Sequence, residues 1–254
     1  MGEDPAGSAS SAGGRRATVP YRVRFDEATP DGDVRASTIL RWAQDAAWIH
    51  CEALGYDRAW YLARGLTWLV RAIELAIREP VQFGETVAVS TEVTGFRRVW
   101  ARRRTEVTRD GRLLAWVHTD WVMTDERGLP ARIPDDFPRR FETVPGSFSP
   151  GRVHLPDPPP IAIVREFAVR HVELDPLGHV NNAAYLDYLE EVLADVPGGI
   201  VRPATVPRSY RLEYLVAAGP GDRLRATAWP IAGGMACRLT TAAGSEVLRG
   251  TVAG

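Results

Sequence analysis

The chain has 254 residues, 45% of them apolar and 25% charged, which is enough apolar material for one large domain or two of ordinary size and excludes disorder over most of its length. Its formal net charge of −1 gives no basic field over the whole molecule, so nothing global points to nucleic acid or an anionic membrane as a partner. Two cysteines, Cys51 and Cys237, are too few for a disulfide framework or a metal knuckle and fit small core positions in a reducing compartment.

Residues 1–18 are rich in Gly, Ala and Ser and lack an apolar stretch long enough for a secretory signal or a membrane span, so they read as a disordered tail on a cytoplasmic protein. Every basic side chain is arginine. From Tyr21 a short extended segment, Tyr-Arg-Val-Arg-Phe, leads into the turn residues Pro30-Asp31-Gly32-Asp33. A helix follows from about Arg35 to Ala53, with Ile39, Leu40, Ala43, Ala46, Ala47 and Ile49 spread too widely for a thin stripe, which predicts burial on most of its circumference. Gly55 stops it. Four strand-like runs come next, at about 67–78, 85–94, 96–108 and 112–123, the last two joined by Arg109-Asp110-Gly111, a hairpin signal. One helix followed by antiparallel strands is an α+β plan.

Between Phe141 and Ile163 the composition shifts to Pro145, Gly146, Pro150, Gly151 and Pro156-Asp-Pro-Pro-Pro160, which reads as a linker crossing between two domains. The expected division is a first domain over 19–141, a Pro-rich linker over 142–163 and a second domain over 164–254. The second domain repeats the first. Laying Tyr21 on Phe167 aligns Val23 with Val169, Arg24 with Arg170, Glu27 with Glu173, Gly32 with Gly178 and Leu40 with Leu186 without a gap. Further on, Arg71 pairs with Arg208, Leu75 with Leu212 and Gly84 with Gly221, so a connection in the second copy is shorter. The chain closes with a hairpin around Ala243-Gly244-Ser245.

The segment Asp175-Pro-Leu-Gly178-His179-Val-Asn181-Asn182-Ala-Ala-Tyr185 opens the helix of the second copy, a run reaching to about Asp195, and puts a carboxylate and an imidazole beside residues that cap helices. It resembles the D-x-x-G-H-V-N-N-x-x-Y signature of hotdog-fold thioesterases. Gln44-Asp-Ala-Ala, Trp68-Leu-Val-Arg71, Gly84-Glu-Thr-Val and Trp121-Val-Met-Thr-Asp resemble, in that order, segments of the acyl-ACP thioesterases, and the resemblance covers about Tyr21 to Val252. It implies a double hotdog, each half an antiparallel sheet wrapped around a long central helix. It also implies hydrolysis of fatty acyl chains carried on the phosphopantetheine of an acyl carrier protein, with no cofactor and no metal. A homodimer is a further expected partner, although the two halves already supply the pair of units that single-hotdog proteins obtain by dimerising.

Only the second copy is equipped for chemistry. At the positions matching Asp175 and His179 the first has Thr29 and Asp33, and Arg35-Ala36 replace Asn181-Asn182. The first half is therefore expected to house the acyl chain, with Trp42, Trp48, Trp60 and Trp68 as candidates to shape the channel. His179 is the natural general base for an attacking water, because imidazole titrates near neutrality, and Asp175 would hold its ring. Alternatively Asp175 orients the water or attacks the thioester itself; both schemes stay open. Asn181 and Asn182 cap the helix and one amide can also orient substrate, while the backbone from Gly178 to Asn182 offers N–H groups to the carbonyl oxygen. Glu190 is either a second carboxylate of the site or an arginine's partner. The cluster Arg97, Arg98, Arg102, Arg103, Arg104 reads as a solvated strand face or as a phosphate and carrier docking surface, with Arg102 and Arg104 as its candidates.

Two departures from the family pattern stand out. Leu177 occupies the middle of the family's D-x-N-x-H, and Ala217 and Ala218 stand where a glutamate, often followed by cysteine, is usual. They leave two rivals to acyl-ACP hydrolysis: a hydrolase of acyl-CoA or polyketide thioesters, and a non-catalytic acyl-binding hotdog.

Overall fold

The duplication in the sequence reappears as the order of strands along one sheet. The computed structural model describes residues 11–143, 148–196 and 206–254. The first half contributes β1 (Ser11–Gly13), β2 (Arg16–Arg22), β3 (Leu66–Ile77), β4 (Thr86–Arg97), β5 (Trp100–Arg109) and β6 (Arg112–Asp125). The second contributes β7 (Ile163–Ala168), β8 (Arg208–Tyr214), β9 (Arg223–Ile231), β10 (Gly234–Thr241) and β11 (Glu246–Ala253). They pair antiparallel in the order β1-β2-β4-β5-β6-β3-β8-β11-β10-β9-β7. The second half thus runs the plan of the first in reverse, and β3 and β8, which the repeat equates, meet in the middle.

The register of that central ladder carries the symmetry. Leu75 lies opposite Tyr210 and Ile73 opposite Leu212. Under the repeat Leu75 corresponds to Leu212 and Ile73 to Tyr210, so each pairing is the image of the other and a two-fold relation between the halves passes through this ladder.

On one face of the sheet lie α1 (Ala36–Ala53) and, in the second half, a helix over Asn182–Ala194. Between them in sequence come the short α2 (Arg58–Leu62) and α3 (Phe137–Arg140), so the second long helix is α4. α1 buries Ala36, Ile39, Leu40, Trp42, Ala43, Ala46, Ala47 and Cys51, the broad burial its apolar spacing predicts. α4 buries Tyr185, Leu186, Tyr188, Leu189, Val192 and Leu193. Both helices share one apolar core with strands of both halves, Leu75 and Leu212 included. A second, aromatic cluster in the first half joins Tyr56, Tyr61 and Phe96 to Phe137 and Phe141; the rings of Tyr56 and Phe137 stack with centroids 4.1 Å apart. Among the described residues no helix is long and apolar enough to cross a membrane.

One expected boundary shifts. The tail expected over 1–18 gives way to strand pairing within the described residues, since β1 pairs with β2 and β2 with β4. Side chains fix that edge: Arg15 pairs with Glu92, Arg16 with Glu106, and the hydroxyls of Thr18 and Ser90 bond at 2.8 Å. Residues 1–10 lie outside the described residues. The described part of the linker is a strap without helix or strand that runs across the outer face of the sheet. Arg97 donates to the Phe148 carbonyl, the Gly151 N–H to buried Asp120 at 2.7 Å, and the Val153 N–H to buried Glu213 at 2.9 Å.

Gly250 in β11 packs tightly against its neighbour β8, where a methyl group would stand 2.7 Å from a Leu212 methyl and 3.0 Å from the Arg211 carbonyl, and would meet Leu189 of α4 at an ordinary 3.8 Å. Gly250→Ala should therefore lower stability by about 1–3 kcal/mol. Denaturant unfolding would check it, and an unchanged midpoint would show that the Leu212 side chain can move aside.

Candidate active site

The turn that opens α4 is built identically in both copies and furnished in only one. In the second, the Asp175 N–H donates to the His179 carbonyl at 2.8 Å, Leu174 and Val180 form a bridge, and Gly178 takes φ of +78°, a conformation that favours glycine. In the first, the Thr29 N–H donates to Asp33 at 2.7 Å, Ala28 bridges Val34, and Gly32 has φ of +89°. Asp175 differs from Thr29 in using its side chain inside the turn, where Oδ1 accepts the Leu177 N–H at 2.9 Å and the His179 N–H at 3.4 Å. Asn181 caps α4 through Oδ1, which accepts the Ala183 N–H at 2.9 Å, and its amide donates to Gln44 Oε1 on α1 at 3.2 Å. That amide pair ties the start of one half's helix to the middle of the other's.

Beside it opens a cavity of about 650 Å³. Its length follows one face of α1 through Arg41, Gln44, Ala47, Trp48 and Cys51, spaced by three and four residues. From Gln44 to Cys51 the helix rises about 10 Å. Leu66, Trp68, Val93, Phe96, Phe137 and Phe141 complete a largely apolar wall from the first half. The second half contributes Asp175, Pro176, Leu177 and Asn181. Of the four tryptophans expected to shape a channel, Trp48 and Trp68 line the cavity, Trp60 packs on the aromatic cluster, and Trp42 stacks on Tyr21 at 5.5 Å in the main core.

The candidate residues separate into two groups. Asp175 and Asn181 edge the cavity. His179 is exposed and outside its wall, and among the described residues no hydrogen bond joins its ring to the Asp175 carboxylate, which the turn's own N–H groups occupy. Gly178 is exposed in the turn, and Asn182 turns its carbonyl to the hydroxyl of Tyr214 at 3.0 Å. Glu190 sits elsewhere, beneath β8, ion-paired with Arg208 at 3.3 Å and accepting the Tyr210 hydroxyl; burial raises its pKa, only partly opposed by Arg208. The segment after β8 does lie against the turn, with the Val180 N–H donating to the Ala218 carbonyl at 2.9 Å and the Tyr185 hydroxyl accepting the Ala218 N–H at 2.8 Å. Ala217 and Ala218 bring no acid there.

The arginine cluster is split by strand alternation. Arg102 grips Asp120 through two bonds of 2.7 and 2.8 Å and also reaches the Ser149 carbonyl, while Arg104 bonds Glu106 at 2.9 Å. Both are on the outer face, paired with the protein's own carboxylates, and neither borders the cavity. Arg103 points the other way, into the cavity, and is only 6% exposed. Its Nη1 donates to His50 Nδ1 at 3.0 Å and to Thr91 at 3.3 Å, and Nη2 meets Cys51 Sγ at 3.7 Å. Since arginine can only donate, His50 Nδ1 accepts and Nε2 carries the proton, donated to the Gly14 carbonyl at 2.9 Å. Burial, then the Arg103 charge, lowers the pKa of His50 to about 4, and burial raises that of the Cys51 thiol. The alternation Ala101, Arg103, Thr105, Val107 was the available signal that this arginine faces inward.

Three solved structures of similar fold share its double-hotdog layout, and each is described as a thioesterase. A provisionally assigned oleoyl thioesterase from Lactobacillus plantarum matches with TM-score 0.80 and 19% identity, covering 96% of each chain. An acyl-ACP thioesterase from Bacteroides thetaiotaomicron matches with TM-score 0.79 and 16% identity, over 94% of this chain and 97% of its own. A 12:0-ACP thioesterase from Umbellularia californica matches with TM-score 0.78 and 21% identity, over 94% of this chain and 96% of its own. No curated protein sequence matches significantly. The models of the acyl-ACP thioesterase N-terminal and C-terminal domains match residues 15–141 and 160–227, and the chain belongs to the acyl-ACP thioesterase family, whose members are thioester hydrolases.

The His50 environment sets a pH dependence. Its pKa is near 4 in the folded chain against an ordinary 6.5, so between those values the unfolded chain binds more protons; the stability it contributes is complete above 6.5 and is lost as pH falls toward 4. His118, also shifted down by burial and by Arg104, acts in the same direction. Thermal unfolding should show a melting temperature falling by about 3 °C per pH unit in this window, less steeply in His50→Gln. An equal slope in that variant would mean that the proton enters elsewhere.

Proposed function

We propose that this protein hydrolyses the thioester of a fatty acyl chain carried on acyl carrier protein, with the chain in the first-half cavity and the reacting carbonyl at the edge formed by Asp175 and Asn181. The observation that carries this reading is the composition of the cavity wall: mainly apolar and aromatic side chains from one half, and from the other a carboxylate and an amide at the start of α4.

The geometry favours Asp175 over His179 as the group that takes the proton of water, because Asp175 borders the cavity and His179 does not. Water oxygen bonds to the carbonyl carbon while its proton passes to Asp175. At the start of α4 the N–H groups of Asn181, Ala183 and Ala184 are engaged, and that of Asn182 has no partner among the described residues. We assign the Asn182 N–H to the carbonyl oxygen, where the positive end of the helix stabilises the developing oxyanion. Collapse of the tetrahedral adduct breaks the carbon–sulfur bond, and His179, exposed beside the edge, gives the thiolate its proton. The proton on Asp175 passes through solvent to the His179 ring, which restores both groups.

Thiol release from acyl-ACP should fall about a hundredfold or more in Asp175→Asn, mostly in kcat. His179→Ala should lose less, and most of that loss should disappear with an aryl thioester, whose thiolate leaves unprotonated. An equal loss in both variants that the aryl ester does not relieve would make the His179 ring the base. No release from any acyl-ACP would count against hydrolysis itself.

A further inference from the structure

A buried cation facing an apolar cavity needs an explanation that the hydrolysis of a plain fatty chain does not supply. Among the described residues Arg103 forms no ion pair. Its partners, His50, Thr91, Cys51 and the Phe141 ring at 5.8 Å, carry no net charge, the imidazole because of its low pKa and the thiol because burial opposes its ionisation. They satisfy hydrogen bonds but bring no negative charge. Two of the three carboxylates on the same cavity, Asp45 and Glu52, are exposed and taken up by Tyr21 and Trp48, at 2.6 and 2.7 Å. The third, Asp175, belongs to the turn. Arg103 Nε has no partner among the described residues, and with Nη2, whose one contact is the weak acceptor Cys51, it forms the edge of the guanidinium that grips a carboxylate side-on. Arg102, the next residue, shows that use of Nε and Nη2 toward Asp120.

We infer that the acyl group this protein accepts carries a carboxylate at its far end, bound by Arg103 inside the cavity, so that the substrate is the monothioester of a dicarboxylic acid. This rests on the assignment of the cavity to the acyl chain. Gln44, bonded to Asn181 at the reacting edge, and Cys51, in contact with Arg103, stand on one face of α1, about 10 Å apart along its axis. A chain of moderate length would therefore lie along the helix with its thioester at one end and its second carboxylate at the other. An unpaired charge in such a site is costly, and an anionic chain end offsets that cost where a methyl end cannot.

The test compares pantetheine thioesters in pairs of equal carbon count: adipyl with hexanoyl, suberyl with octanoyl, sebacyl with decanoyl, together with the suberyl methyl ester, which keeps the oxygens and removes the charge. For wild type, kcat/KM should favour the free carboxylate by tenfold or more in at least one pair, and the methyl ester should lose that advantage. Arg103→Met, if its melting temperature shows it folded, should reverse the preference; should it fail to fold, the comparison of acid with ester in wild type decides alone. Preference for the plain chain at every length, an ester as good as the acid, or a preference unchanged in Arg103→Met overturns the inference while leaving hydrolysis in place. If no thioester is cleaved, the proposed activity falls, and calorimetry with suberate against octanoate still decides on Arg103: tighter binding of the dicarboxylate supports it, and equal or weaker binding overturns it.

Discussion

The arrangement depends on the antiparallel ladder between β3 and β8. Without it each half would be a sheet with an open edge and a helix with one uncovered side. With it, the sheet is continuous from β1 to β7, α1 and α4 share one core, and the start of α4 is carried to the middle of α1. The bond between Asn181 and Gln44 is a local consequence of that ladder. So is the composite character of the cavity, whose walls come from one half and whose reactive edge comes from the other.

The two copies have diverged within an unchanged frame. Both keep the glutamate that turns back on the backbone N–H three residues earlier, Glu27 toward Arg24 and Glu173 toward Arg170. Both keep the glycine with positive φ in the turn that follows. Backbone geometry has therefore been held fixed while side chains changed. In the first copy Asp33 is bound to Gln82 on its own surface; in the second, Asp175 stands at the cavity. An asymmetric site has formed on a symmetric scaffold by exchange of residues on one turn.

Most of the fold was legible because its signals are periodic and local. The extent of α1, the four strands after it, the linker and the repeat all follow from apolar spacing, turn residues and self-similarity. What was not legible depends on which way a side chain points and on what meets it from a distant strand. Arg102, Arg103 and Arg104 look alike in sequence; alternation sends one inward and leaves two to Asp120 and Glu106. Glu190 meets Arg208 and Tyr210 only because β8 passes beside α4. Asp175 looked free to hold the His179 ring, yet a carboxylate at the start of a tight turn is taken up by the N–H groups of that turn. Of the first strands only the end, from Tyr21, was legible, because the Gly, Ala and Ser residues before it have weak strand propensity and are held by pairing of β1 with β2 and of β2 with β4.

The strap between the halves is more than a connection. Asp120 and Glu213 are 4% exposed, and each receives a backbone N–H from the strap, at Gly151 and Val153. Those amides do the work of solvent for charges the sheet has withdrawn from water. Two separate chains of the same sequences would have to hydrate both carboxylates some other way. The peptide that joined the copies thus adds a backbone dipole to what Arg102 and Arg152 already bring to the two carboxylates, and the join has become part of the molecule's dielectric.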